Sequence, residues 1–272
     1  MTTGDWLREA RGRLERAGLE SAALEAQVLA AHILLRDRSH VLAHPEEDFP
    51  QLAGESLLQR RERQEPLAYI LGWREFYGRR FHVEPGVLIP RQETEILVET
   101  ALGLLRHETR VLDLGTGSGC IGITLKLEFA AAHVTLSDVS PKAIEIARRN
   151  AEELGADVDF VLADGFAGLG EFDLIVTNPP YIGLGETLPV EVREHEPAGA
   201  LFAGPTGLEF YEMLAAESGL HLGGDGLLLM EVGYRQARAV GGLFEASGWM
   251  VEQIVPDLSG IERVVVVRQL SA

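Results

Sequence analysis

Asn178-Pro179-Pro180-Tyr181 is the stretch of this 272-residue chain whose residue types imply chemistry most directly. An amide nitrogen is a poor nucleophile because its lone pair is delocalised into the carbonyl. A protein that makes it react must accept hydrogen bonds from the NH₂, so that the lone pair can point at an electrophile. Asn178 has a side-chain carbonyl for this. Pro179, which has no N–H, offers only its backbone carbonyl. Two consecutive prolines stiffen the turn and fix both acceptors before a substrate arrives. Tyr181 can lie flat on a planar amide or base. The tetrapeptide predicts a clamp for a planar nitrogen: Asn178, Pro179 and Tyr181 as catalytic groups, with Pro180 completing the substrate-binding set. A proline-stiffened loop without chemistry is the competing reading. Its place directly after a strand, with a glycine turn upstream, argues against it.

That glycine turn is Asp113-Leu114-Gly115-Thr116-Gly117-Ser118-Gly119, which follows a strand and opens a helix. Glycines there let the backbone turn sharply and approach a ligand closely. Gly117-x-Gly119-x-x-Gly122 matches a dinucleotide pattern as a string. In that pattern the first glycine comes directly after the strand, as Gly115 does, and counting from Gly115 puts the third position on Cys120. Asp113 adds a carboxylate before the first glycine, which repels a pyrophosphate but attracts the ammonium of a methionine moiety, directly or through water. The segment therefore favours S-adenosyl-L-methionine, with S-adenosyl-L-homocysteine as product. Asp138, 25 residues after Asp113, ends the next strand, where a carboxylate can take two ribose hydroxyls. Asp164-Gly165-Phe166 ends the third, placing an acid for an adenine amino group and a ring to pack on the base. A plain Asp-Gly turn explains that tripeptide equally well. A sulfonium is already an activated electrophile, so positioning carries much of the acceleration, up to about 7–11 kcal/mol in favourable cases. No strong general base is needed, because the methylated nitrogen is very acidic while it carries positive charge.

Regular elements must hold these groups. From Arg91 onward strands and helices alternate: a helix over Gln92 to Leu105, strands over Arg110–Leu114, His133–Ser137, Val158–Leu162, Phe172–Thr177, Gly226–Val232, Trp249–Val255 and Arg263–Gln269, and a helix opened by Ser140-Pro141. Such alternation predicts a parallel α/β sheet with helices on both faces. Ahead of it, Gly72 to Val83 reads as a β-hairpin around Gly78. Residues 1 to about 70 read as a small helical bundle. Trp6, Leu7, Ala10 and Leu14 form one apolar stripe, Leu24, Val28, Ala31 and Leu35 a second, and Pro50 starts a third helix running to about Gln64.

Composition narrows the function classes. Twenty-four Lys and Arg against 42 Asp and Glu leave a net charge of −18, opposite in sign to a protein that grips a nucleic-acid backbone. Basic clusters such as Arg60-Arg61-Glu62-Arg63 read as a solvated face. Leu184 to Glu196, after the clamp, carries Glu186, Glu191, Glu194 and Glu196 against Arg193, a loop that repels phosphates and suits a basic protein segment. The single cysteine, Cys120, excludes a disulfide framework and a multi-cysteine zinc site. His40 and His44 have metal-compatible spacing but no third ligand in view, so no metal is expected. Without a signal peptide or a membrane-length apolar run, the chain is expected to be cytoplasmic.

Taken together these residues resemble the HemK-type protein-(glutamine-N5) methyltransferases, over nearly the whole chain. Glu65 to Gly72 with Arg74 to Gly78 is similar to that family's interdomain hairpin. Leu88-Ile89-Pro90-Arg91-Gln92-Glu93-Thr94-Glu95 is similar to its "LIPRPDTE" segment, departing at Gln92 and Glu93. Glu196-Pro197, Gly204 to Leu208 and Ile261 to Val264 fit later segments. The resemblance implies a Rossmann-like class I S-adenosylmethionine-dependent methyltransferase domain with a seven-stranded, mostly parallel sheet and an antiparallel last strand. It implies a division into a helical substrate-recognition domain over 1–70, a hairpin linker over 71–88 and a catalytic domain over 89–272. Cofactor contacts then extend to Gly115, Thr116, Gly117, Ser118, Gly119, Asp138, Phe166 and Asn178, beside Asp113 and Asp164. Phe166 stands where relatives often have tryptophan. The implied activity is methylation of the Gly-Gly-Gln glutamine of class I peptide chain release factors by a monomer that contacts neither nucleic acid nor membrane. Glutamine methylation of a ribosomal protein uses the same site chemistry. The tetrapeptide alone is shared with adenine-N6 and cytosine-N4 DNA methyltransferases.

Overall fold

A computed structural model describes residues 1–270; the final two residues of the span expected over 89–272 lie outside the described residues. The chain divides into two compact units, one of Met1–Trp73 with Leu188–His195, the other of Arg74–Thr187 with the chain from Glu196 onward. The sequence reading puts Leu188–His195 inside 89–272, whereas the structure groups it with the helices.

The helical unit contains α1 (Thr3–Arg16), α2 (Ala22–Leu34), α3 (Arg38–Ala43), α4 (Gln51–Glu62) and α5 (Leu67–Leu71). Thr2 starts α1 with a capping box, its side chain accepting from the Asp5 N–H while the Asp5 carboxylate accepts from the Thr2 N–H. Trp6, Ala10 and Leu14 of α1 are buried as their spacing predicts. The stripe expected on α2 is not the buried one. Leu24 is exposed, and Leu35 is 85% exposed at a left-handed C-cap with φ 53°. Ala22, Ala26, Leu29 and Ala30 face the core instead. The run AALEAQVLAAHIL is apolar on more than one side, so spacing does not select a face. Gly54 of α4 is needed for packing, since a Cβ there would lie 2.5 Å from the Phe49 ring and 2.6 Å from Trp6. Those two rings stack with centroids 4.4 Å apart. The basic cluster at the end of α4 is a solvated face only in part: Arg63 is exposed, whereas Arg61 is buried and pairs with Glu25 at 2.6 Å and Glu191 at 2.9 Å.

The second unit opens with a hairpin, β1 (Trp73–Phe76) and β2 (Arg79–His82). Its turn passes through Tyr77 and Gly78, both at positive φ, which matches the twist of paired strands. A 3-10 turn at Gln92–Thr94 leads into α6 (Glu95–Leu104). The alternating core follows as β3 (Arg110–Leu114), α7 (Cys120–Glu128), β4 (His133–Asp138), α8 (Pro141–Leu154), β5 (Asp159–Leu162) and β6 (Phe172–Thr177). After the short β7 (Ile182–Gly183) the chain contributes α9 (Val190–His195) to the helical unit. It continues with α10 (Ala198–Leu201), β8 (Phe202–Gly204), α11 (Glu209–Glu217), β9 (Leu222–Glu231), α12 (Ala237–Ala246), β10 (Trp249–Pro256) and β11 (Glu262–Gln269).

Seven strands form one sheet in the order β10-β11-β9-β6-β3-β4-β5. From β9 to β5 all pairs are parallel, while β11 runs antiparallel to both β9 and β10. This is the mostly parallel sheet with an antiparallel last strand that the resemblance implies. Successive residues point to opposite faces, so Val111, Leu174 and Val266 pack under α6 and α7, and Leu112, Ile175 and Val265 pack under α11 and α12. From β3 the chain proceeds outward to β4 and β5, then returns to β6 on the other side of β3. That reversal opens a crevice at the carboxyl ends of β3 and β6, where ligands of open α/β sheets bind.

Candidate active site

The turn after β3 is held by its own backbone and by two carboxylates. Gly115 and Thr116 both donate their N–H to the Ser137 carbonyl at 2.9 Å. The Asp138 carboxylate at the end of β4 accepts from the Gly117 N–H and the Ser140 N–H, each at 2.9 Å. Asn150 of α8 donates to the Ser118 carbonyl at 2.8 Å and brackets the His82 backbone, joining the turn to β2. On β6, the Thr177 hydroxyl donates to the Leu114 carbonyl at 2.8 Å, which brings the residue before the clamp beside the turn.

A cavity of about 240 Å³ lies over these strand ends, lined by Gly115, Gly117, Asp138, Asp164, Asn178, Pro179 and Pro180. Gly115 and Gly117 have φ of +72° and +56°, and a Cβ on either would meet no protein atom within 4 Å. The left-handed backbone requires glycine there, and the open space beside it suits a close-lying ligand. Two carboxylates and a glycine cradle at a sheet switch point fit S-adenosylmethionine.

Asp113 is not brought to the cavity. It is fully buried behind the turn, where its Oδ2 accepts from the Thr116 hydroxyl at 2.6 Å and the Gly122 N–H at 2.9 Å. Burial pushes its carboxyl up to about 6, against the pull of those two donors. Asp113 therefore pins the turn through Oδ2, while its Oδ1 is buried without a hydrogen-bond partner. Gly122 serves packing, since a Cβ there would lie 2.9 Å from Leu136 and 3.0 Å from Asp113. Thr116 and Ser118 are buried within the turn, and Gly119 caps α7 at φ +82°. Phe166 is buried in the core, stacked on His221 with centroids 4.8 Å apart, while Phe210 is the aromatic residue on the cavity wall.

Within the clamp, Asn178, Pro179 and Pro180 line the cavity, and the Tyr181 ring does not. Tyr181 is wedged behind it. Its carbonyl accepts from Gln236 at 2.9 Å, and a Cβ on Gly207 or Gly233 would strike it at 2.6 and 2.9 Å. Burial pushes the Tyr181 phenol up to about 12. The Asn178 Nδ2 donates to the Thr94 hydroxyl at 3.2 Å, whereas its Oδ1 is buried with no hydrogen-bond partner. An unpartnered buried polar atom is costly to leave so, and of the six such side-chain atoms among the described residues Asn178 Oδ1 is the one on a cavity-lining residue.

The Methyltransferase small domain family matches residues 86–191, and the PrmC N-terminal domain family matches residues 5–72. A release factor glutamine methyltransferase of Koribacter versatilis is 43% identical over 243 residues, covering 86% of each chain. One of Cereibacter sphaeroides is 42% identical, covering 98% of this chain and 99% of its own. The chain belongs to the release factor glutamine methyltransferase family. A methyltransferase of Pyrococcus furiosus shares the fold at TM-score 0.55 and 21% identity, over 71% of this chain and 90% of that one.

Other parts of the site in this family member escaped the sequence reading. Val87, Leu88, Pro197 and Ala200 complete the apolar wall. Two of the flanking segments are clasped by Glu196, whose side chain is 1% exposed and accepts from the Ile89 N–H at 3.0 Å and from the Arg91 guanidinium. Of the acids in the loop after the clamp, Glu196 is buried, whereas Glu186 and Glu194 remain exposed. Glu196 holds Arg91, Glu191 holds Arg61, Glu186 accepts from the Gly183 N–H, and Glu194 pairs with Arg193. Removing the Glu196 carboxylate leaves a buried N–H and a partly buried guanidinium uncompensated. Glu196→Ala is expected to cost about 2 kcal/mol, read as a lower midpoint in urea at unchanged slope. A midpoint equal to wild type removes the clasp from the account.

Glu231, the last residue of β9, is 2% exposed, and burial pushes its carboxyl up to about 7. Contact with the Thr94 side chain and the positive charges of Arg263 and Arg91 work against that rise, while Glu93 adds to it. A raised carboxyl pKa means that the folded state keeps a proton which the unfolded chain releases near 4.5. Wild-type stability therefore loses about 3 kcal/mol from this group as pH rises through 4.5 to 7. Glu231→Gln lacks that loss, so its melting temperature relative to wild type is expected to climb across this window and level off above it. A pH-independent difference contradicts the assignment.

His40, His44 and Glu47 of the helical unit place their ligand atoms within 4.8 Å of one another, so the structure supplies the third group that spacing alone did not reveal. The closeness has an ordinary cause, a His40–Glu47 contact at 3.1 Å and stacking of the two imidazoles. Among the described residues no helix is long and apolar enough to cross a membrane.

Proposed function

We propose that this protein, a cytoplasmic monomer, transfers a methyl group from S-adenosylmethionine to the side-chain amide nitrogen of the Gly-Gly-Gln glutamine in class I peptide chain release factors. The observation that carries the chemistry is the buried, unpartnered Asn178 Oδ1 on a cavity-lining residue next to the Pro179 carbonyl. Family membership carries the substrate class.

S-adenosylmethionine supplies a methyl already activated on a sulfonium. Gly115 and Gly117 let the backbone lie close to it, Asp138 accepts from ribose hydroxyls, and Asp164 lies where an adenine amino group needs an acceptor. Asn178 Oδ1 and the Pro179 carbonyl accept the two N–H bonds of the substrate amide, which turns the nitrogen lone pair towards the methyl carbon. Pro180 keeps both acceptors rigid, and Tyr181, wedged behind them, supports the turn from the protein side. The proton lost from the methylated nitrogen needs no dedicated base. The helical unit, Met1–Trp73 with Leu188–His195, serves partner recognition, and a net charge of −18 suits a protein substrate rather than a nucleic acid.

Radiolabelled methyl transfer to a purified release factor tests the assignment, with the Gly-Gly-Gln glutamine intact or replaced by alanine. Label is expected on the intact factor alone. Equal labelling of both defeats the substrate assignment.

A further inference from the structure

An asparagine side chain carries a carbonyl and an NH₂ of nearly the same shape, and only the carbonyl end can accept from a substrate amide. Flipped, the same residue would present donors to a donor. Something must hold it the right way round.

We propose that Thr94 and Glu231 are positioning residues that fix the Asn178 amide with its NH₂ turned inward and its carbonyl oxygen left for the substrate; this rests on Asn178 being the substrate's acceptor. Thr94 closes the 3-10 turn at Gln92–Thr94 and is 2% exposed. Its backbone N–H donates to the Arg91 carbonyl at 3.2 Å, and Arg91 is held in turn by Glu196. The Thr94 hydroxyl oxygen accepts from Asn178 Nδ2 at 3.2 Å. The Thr94 side chain also meets the carboxyl of Glu231, which is 2% exposed and whose Oε2 is buried without a hydrogen-bond partner. A hydroxyl has a single hydrogen. Directed at a Glu231 oxygen that carries no proton, that hydrogen leaves only lone pairs towards Asn178, so Asn178 offers its NH₂ there and keeps its carbonyl free. The order of donors and acceptors runs one way, from the Asn178 NH₂ through the Thr94 hydroxyl to the carboxyl, which leaves Asn178 Oδ1 at its head and Glu231 Oε2 at its tail without a partner.

The test compares kcat on the release factor, the calorimetric Kd for S-adenosylmethionine, and solvent exchange of the Asn178 side-chain NH₂ protons, assigned by their loss in Asn178→Ala. Thr94→Val keeps the shape and removes the hydroxyl. It is expected to lower kcat about tenfold, leave the cofactor Kd unchanged and speed exchange of the Asn178 NH₂. Thr94→Ser should restore kcat to within about threefold of wild type. Glu231→Leu should match Thr94→Val, Glu231→Gln should stay near wild type because it keeps an acceptor oxygen, and the Thr94→Val/Glu231→Leu double variant should be no worse than either single change. If Thr94→Val loses cofactor binding altogether, the two Glu231 variants decide. Wild-type kcat in Thr94→Val beside an inactive Asn178→Ala overturns the positioning role and leaves the clamp standing, as do additive losses in the double variant or failure of serine to restore turnover. Normal turnover in Asn178→Ala defeats the clamp itself, and the positioning role with it.

Discussion

Asn178→Ala is expected to lower kcat by about 10²-fold or more while S-adenosylmethionine still binds, by comparison with the loss of one preorganised polar partner at other enzyme centres. The effect is large because a side-chain oxygen fixed in place costs nothing to organise at the moment of reaction, whereas water replacing it must be ordered. Its neighbour cannot be removed by substitution, since the Pro179 carbonyl belongs to the backbone, so Asn178 is the one half of the clamp that mutagenesis reaches cleanly. Asn178 donates no hydrogen bond to the glycine turn; its Nδ2 is spent on Thr94. The cofactor Kd should therefore stay within a few-fold of wild type, about 1 kcal/mol at most. Single-turnover methyl transfer with saturating cofactor checks the prediction, and an unchanged rate removes Asn178 from the mechanism.

Asp138→Ala is expected to act on the other side of the cavity, weakening S-adenosylmethionine binding by about 10- to 100-fold, the range for hydrogen bonds to a charged group. Two losses add. The carboxylate proposed to take the ribose hydroxyls disappears, and so does the acceptor that holds the Gly117 and Ser140 N–H groups in place. Asp138→Asn keeps one oxygen and should fall between alanine and wild type. Because Asp138 does not touch the Asn178–Thr94 arrangement, kcat at saturating cofactor should change little. Calorimetry showing an unaltered Kd in Asp138→Ala contradicts the role.

The strands, the two carboxylate-ended turns and the proline-stiffened loop after β6 were legible because each is a local pattern. Continuous Val, Leu and Ile runs mark strands buried on both faces, positive φ demands glycine at Gly115 and Gly117, and consecutive prolines announce a stiff loop wherever they occur. Asp138 and Asn178 could be placed from sequence for the same reason, as the residues at or just past the ends of strands β4 and β6. The helical stripe of α2 was misread because an all-round apolar helix has no preferred face until a partner covers one. Asp113 was expected to meet a ligand directly or through water; the closed turn sets its Oδ2 on the Thr116 hydroxyl and the Gly122 N–H, off the cavity wall, a placement that depends on how the turn closes.

Residue types and their spacing by themselves determined a parallel α/β domain, a glycine turn and a proline-stiffened pair of carbonyls on Asn178 and Pro179, because backbone sterics and side-chain period act over a few residues. Only the tertiary structure decided which groups stand around that pair. Thr94, Glu196 and Glu231 lie between 18 and 84 residues from Asn178 in sequence and reach their places through the 3-10 turn before α6, the chain after α9 and the end of β9. No local propensity encodes such contacts. They arise when the sheet closes and buried polar groups must find partners far along the chain.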